Sequence, residues 1–127
     1  MRVLKRKDFA RWQASERLPD AALCKAVEEM EGGLVDADLG GSLFKKRVAR
    51  PGAGKSSGYR TLLAVRIGGR HVFLHGFSKC AIANISREER RVLQSVGKVL
   101  LGLSADDVSR AVEVGDLVEV CCDKQNH

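Results

Sequence analysis

The chain has 127 residues and 13.8 kDa, is 44% apolar, and carries 22 Lys and Arg against 16 Asp and Glu, for a net charge of +6. That length suits one domain with its own core, needing neither disulfides nor metal to fold. No apolar run approaches the roughly 20 residues that cross a bilayer, and the start, MRVLKRKDFARWQ, lacks the apolar stretch and cleavage site of a secretion signal. These features exclude a helical membrane protein and predict a cytoplasmic one.

Val3 and Leu4 form a short apolar start that reads as a strand, after which Asp8 is placed to cap a helix with Phe9 and Trp12 on one face. Those two aromatics read as core at that spacing. Pro19-Asp20 opens a second helix, with Leu23, Val27 and Met30 at helical spacing and Gly32-Gly33 as its stop. The segment SLFKKRVAR predicts a strand, and PGAGKSSG predicts a mobile loop too short to separate two domains. Two strand-like runs then meet at Gly68-Gly69. Ser86 and Glu89 have capping-box spacing ahead of Val92, Val96, Val99 and Leu103, and Ser104 with Asp107 repeats the signal before Val108 and Val112. Leu117 to Val120 closes the chain with a last short strand. Cys24 and Cys80 stand alone and Cys121-Cys122 are adjacent, which is neither a CxxC pair nor a disulfide framework, so reduced thiols are expected.

The charge is unevenly placed. Residues 1–38 hold seven basic and eight acidic residues and residues 88–127 hold five and eight, whereas residues 39–87 hold ten basic residues and no acid. Such a segment cannot neutralise itself locally and presents a field to an anion, with nucleic acid the first candidate; the alternative is a solvated surface neutralised by acidic helices beside it. A two-residue turn at Gly68-Gly69 sets a hairpin register in which Val65 faces Val72 and Leu63 faces Leu74 on a core side. The other side then collects Arg60 opposite Phe77, Leu62 opposite His75, Ala64 opposite Phe73 and Arg66 opposite His71, a surface suited to phosphates and unstacked bases.

Two further patterns carry less. His71 and His75 form an HxxxH string, but on a strand four residues span about 13 Å, too far to share one ion. The glycines before Lys55-Ser56 are too closely spaced for a phosphate loop.

The string SSGYR, followed by an apolar strand, a turn, a second apolar strand and GFSK, resembles the core of RelE-type toxins of the RelE/ParE toxin–antitoxin superfamily. The resemblance covers roughly residues 1–85. It implies an α+β fold in which two N-terminal helices pack on a small, mainly antiparallel twisted sheet, one RelE-like domain over residues 1–127, with C-terminal helices added from about residue 86. It also implies a type II toxin, an mRNA endoribonuclease that inhibits translation without metal or cofactor. The partners implied are mRNA, on the ribosome or free, and a cognate antitoxin.

In such a reaction the ribose 2′-OH attacks the adjacent phosphate, so the site must deprotonate that hydroxyl, stabilise added negative charge and protonate the leaving oxygen. The resemblance places Arg60 on the family's functional arginine after Gly-Tyr, Lys45 or Lys46 on its strand lysines, and Lys79 on a lysine near the end of the last core strand. Arg47, Arg50, Lys55, Arg66 and Phe77 are the accompanying candidates for RNA contact. The family's Arg directly after that Lys is Cys80 here, and its later catalytic Tyr falls among Ala83, Asn84 and Ile85. His75 is then the remaining acid–base candidate, the alternative being a surface histidine packed between Phe73 and Phe77. Two other functions stay open: a ParE-like poison of a topoisomerase, and a nucleic-acid-binding module without catalysis.

Overall fold

The computed structural model describes residues 1–50, 54–78 and 85–122, with the backbone alone at 54–57. The elements are β1 (Arg2–Arg6), α1 (Lys7–Ser15), α2 (Asp20–Glu31), β2 (Ala37–Asp38), β3 (Leu43–Arg50), β4 (Gly54–Arg66), β5 (Arg70–Ser78), α3 (Arg87–Gly102), α4 (Ala105–Glu113) and β6 (Leu117–Val120). Among the described residues six strands form one sheet in the order β2-β3-β4-β5-β1-β6. The pair β1–β5 is parallel, and the others are antiparallel. The fold is α+β, as the sequence implies. The strand expected at Val3-Leu4 is present as β1, but the sheet is larger than the small one expected, and β4 takes in part of the segment read as a loop.

Each face of this sheet is covered by helices, because its central strands are apolar on both sides. On one face Phe9, Leu23, Val27 and Met30 of α1 and α2 pack on Leu63, Val65 and Phe73. On the other, Leu93, Val96, Leu100 and Leu101 of α3 and Val108 of α4 pack on Leu62, Ala64, Val72 and Leu74. The capping box is present: Glu89 N–H donates to Ser86 Oγ at 3.0 Å and Ser86 N–H to Glu89 Oε1 at 2.9 Å. Asp107 N–H donates to Ser104 Oγ, also at 3.0 Å. Gly97 brings α3 close to β4, since a Cβ there would lie 2.8 Å from Ala64 Cβ. The face chosen for burial is therefore the one bearing Gly97, and Val92 and Val99, expected on the apolar face, are 60% and 64% exposed.

The hairpin departs from its expected register. Arg66 pairs with Arg70, Val65 with His71, Ala64 with Val72 and Leu63 with Phe73. The connection is a turn over Arg66 to Gly69, closed by Gly69 N–H to Arg66 C=O, with Gly68 at positive φ, the conformation that glycine supplies in the third position of a type II turn. One more residue in the loop shifts the register and reverses side-chain parity on one strand relative to the other. Phe73 and Ala64, expected on an open face, are buried on opposite sides of the sheet. A bulge between Leu62 and Leu63 then restores the expected pairs Leu62–His75 and Arg60–Phe77.

A disulfide joins Cys24 of α2 to Cys122 just beyond β6. The expectation of reduced thiols fails for this pair because the partners are 98 residues apart in sequence and meet only when the last strand docks beside β1. Cys121 is a free, exposed thiol. No helix among the described residues is long and apolar enough to cross a membrane.

Candidate nucleic-acid interface

Strand pairing arranges the basic residues in rows. Arg47 of β3 lies opposite Arg60 of β4, which lies opposite Phe77 of β5; in the next row Lys45 lies opposite Leu62, which lies opposite His75. Side chains alternate along a strand, and Leu62 belongs to the cluster under α3 and α4, so both rows face the α3 side. Like charges directly opposite on a sheet repel, yet among the described residues neither Arg47, Arg60 nor Lys45 makes an ion pair. Among the described residues Arg60 Nη1 is buried with no hydrogen-bond partner. The first turn of α3 completes the arrangement, bringing Arg87 and Arg90 opposite Lys45 across a cavity of about 370 Å³. The arrangement can hold phosphates in a row and place an aromatic ring beside them.

A family model described as the RelE toxin of the RelE/RelB toxin–antitoxin system matches residues 1–120. The chain belongs to the RelE toxin family. Its members are by that definition the toxin halves of toxin–antitoxin pairs. The match runs past residue 85, where the resemblance in sequence stops being visible, so α3, α4 and β6 fall within the family's span. A search of curated proteins gives no match.

In this RelE-family chain the remaining candidate residues are dispersed. Lys46 points to the opposite face, is 1% exposed, and bonds Glu29 Oε1 of α2 at 2.8 Å. Arg50 is on the α1 side, where its guanidinium bonds Tyr59 Oη and lies 5.1 Å from that ring's centroid. Arg66 reaches the Leu101 carbonyl at the C-terminal end of α3. His75 is exposed, with its ring centroid 5.8 Å from that of Phe77, in a depression shared with Glu88 and Glu89. Hydrogen bonds from the backbone and side chain of Ser86 hold Glu89 below the usual carboxylate range, and His75 adds to this. His71 and His75 are parted by the bulge: His71 is buried with Nε2 3.1 Å from Glu31 Oε2 of α2, and His75 faces α3. Lys79, Cys80, Ala83 and Asn84 lie outside the described residues, as does the side chain of Lys55.

Sequence reasoning missed Arg87 and Arg90, treating α3 as a tail. Their signal is the spacing Arg87–Arg90, one helical turn apart on a helix whose other face is apolar, but only the packing of α3 across the sheet turns it toward Lys45. It also missed Arg70, which is buried beside Arg66 with Nη1 bonded to the carbonyls of Leu100, Leu101 and Leu103.

Proposed function

We infer that this RelE-family toxin is an endoribonuclease that cleaves mRNA and so inhibits translation. The observation that supports the reading is the unpaired row Arg47–Arg60 with Lys45 beside it and His75 at the end of the adjoining row. Attack of a ribose 2′-OH on the neighbouring phosphorus forms the new P–O bond, breaks the bond to the 5′-oxygen, and leaves a 2′,3′-cyclic phosphate and a 5′-OH. Arg60, with Arg47 beside it, balances the charge gathered on the phosphoryl oxygens, where a planar guanidinium offers two parallel donors. His75 exchanges protons with the attacking or leaving oxygen. Lys79 follows Phe77 by two residues and remains a candidate for the same phosphate. Lys45 takes the part assigned to either strand lysine, since Lys46 is engaged beneath α2. The partners are mRNA, free or on the ribosome, and a cognate antitoxin; the compartment is the cytoplasm.

The test is induction of the chain in bacteria, with and without Arg60→Ala, following growth and mapping new mRNA 5′ ends over the first minutes. Arrest with new ends inside translated messages, both lost in Arg60→Ala, is expected. Arrest with intact messages would point to a topoisomerase target instead, and RNA binding without any cleavage to a non-catalytic module.

A further inference from the structure

The cavity between sheet and α3 is chemically divided. Lys45, Leu62 and Phe77 line it from the sheet, and Ser86, Arg87 and Arg90 from the helix, with no carboxylate among the described residues of its wall. At about 370 Å³ it falls within the ~300–1,000 Å³ usual for small-ligand pockets. The acids of the first turn do not neutralise it. Glu88 and Glu89 line the neighbouring depression around His75, and Glu89 is committed to the capping box. Among the described residues neither Arg87 nor Arg90 makes an ion pair. Arg91 and Lys98, exposed on the same helix, take no part in the lining. Phe77 belongs both to this wall and to the row of Arg60, so whatever occupies the cavity lies next to that arginine.

We propose that the cavity seats one nucleotide of single-stranded RNA, its phosphate held from two sides by Lys45 and by Arg87 and Arg90, its base laid on Phe77 and Leu62. This rests on the ribonuclease reading and adds that α3 is one wall of the RNA path. A base can reach Phe77 only if it is unstacked, which selects single strands over duplex. The guanidinium forks supply planar donors for phosphate oxygens, and the ring supplies a stacking surface that tolerates any base.

The experiment measures binding of a short fluorescein-labelled single-stranded RNA, 2′-O-methylated throughout so that no nucleophile remains, across a salt series. Arg87→Ala/Arg90→Ala should weaken binding at least about tenfold at physiological salt and reduce the salt slope by about one. Phe77→Ala should weaken binding by about tenfold at unchanged slope. Arg91→Ala/Lys98→Ala, with the same loss of charge, should leave the slope unaltered. Far-UV circular dichroism checks that α3 persists, with Arg87→Gln/Arg90→Gln substituted if it does not. Equal losses in the two double variants, or wild-type binding by Arg87→Ala/Arg90→Ala while Arg60→Ala abolishes cleavage, would overturn the cavity and leave the ribonuclease standing. Failure of the unaltered chain to bind RNA would overturn the cavity, and the ribonuclease falls with it only where induction also yields no new mRNA ends.

Discussion

Lys45 and Lys46 share their chemistry and have opposite surroundings. Adjacent positions on a strand face opposite ways, so one opens on the basic cavity and the other is sealed beneath α2 against Glu29. Lys46→Met should lower stability by roughly 2 kcal/mol, less than the ~3–5 of a fully buried broken pair because Glu29 keeps some solvent, with RNA binding per folded molecule unchanged. Lys45→Met should do the reverse, and chemical denaturation beside the binding assay separates them. The doublet is visible in the sequence; which member faces the basic cavity is decided by register against β4. His71 makes a comparable point about protons. Burial holds its imidazole below its usual pKa of 6.5 despite the nearby Glu31 carboxylate, and the amino terminus pushes the same way as burial. The folded state thus binds this proton less readily than the unfolded chain, so stability is complete above about pH 6.5 and declines as pH falls toward the depressed value. His71→Gln should flatten that part of a stability–pH curve, measured by urea denaturation from neutral to mildly acid pH.

At the level of elements, α3 is held at both ends by side chains the sequence shows, one end legible and the other not. Its start, Ser86 with Glu89, is a local signal and can be read directly. Its end is capped from a distance, by Arg66 and Arg70 of the hairpin bonding the last carbonyls, where the helix leaves acceptors unpaired and its dipole favours a cation. Part of the hairpin's positive charge is therefore spent on a helix. Arg70→Ala should cost about 2–3 kcal/mol and loosen α3 first, which amide exchange along residues 87–102 would register. Overpacking offers a second route to the same displacement. Gly97→Ala places a methyl 2.8 Å from Ala64 Cβ and should cost about 1–2 kcal/mol net of the better helix propensity, read from the denaturation midpoint. The hairpin itself was legible in its outer half only: the loop adds a residue, the bulge beside Leu62 removes the offset, and the pairs Arg60–Phe77 and Leu62–His75 survive both. Neither event has a local sequence mark, since Gly68-Gly69 suits turns of either length.

For the whole molecule, the Cys24–Cys122 link ties α2 to the end of the last strand across 98 residues of chain. By the loop-entropy argument it contributes about 4–5 kcal/mol, through the unfolded state. Added dithiol, or Cys24→Ser, should lower the melting temperature and raise protease sensitivity of residues 117–122, while Cys121→Ser should do neither. The first two helices were readable from periodicity and stops, and the fold class from the resemblance carried by SSGYR to GFSK; the second helical layer over the basic rows was not, because it depends on which face of α3 meets β4. One more property of the sheet bears on how the protein is made. β1 is synthesised first, yet it is seated between β5 and β6, so its neighbours do not exist until residues 70–78 and then 117–120 have been added. At ~5–20 residues per second that wait is roughly 6–22 s. Val3 and Leu4 have no sheet neighbour until β5 is made, and the sheet is finished only once β6 has followed.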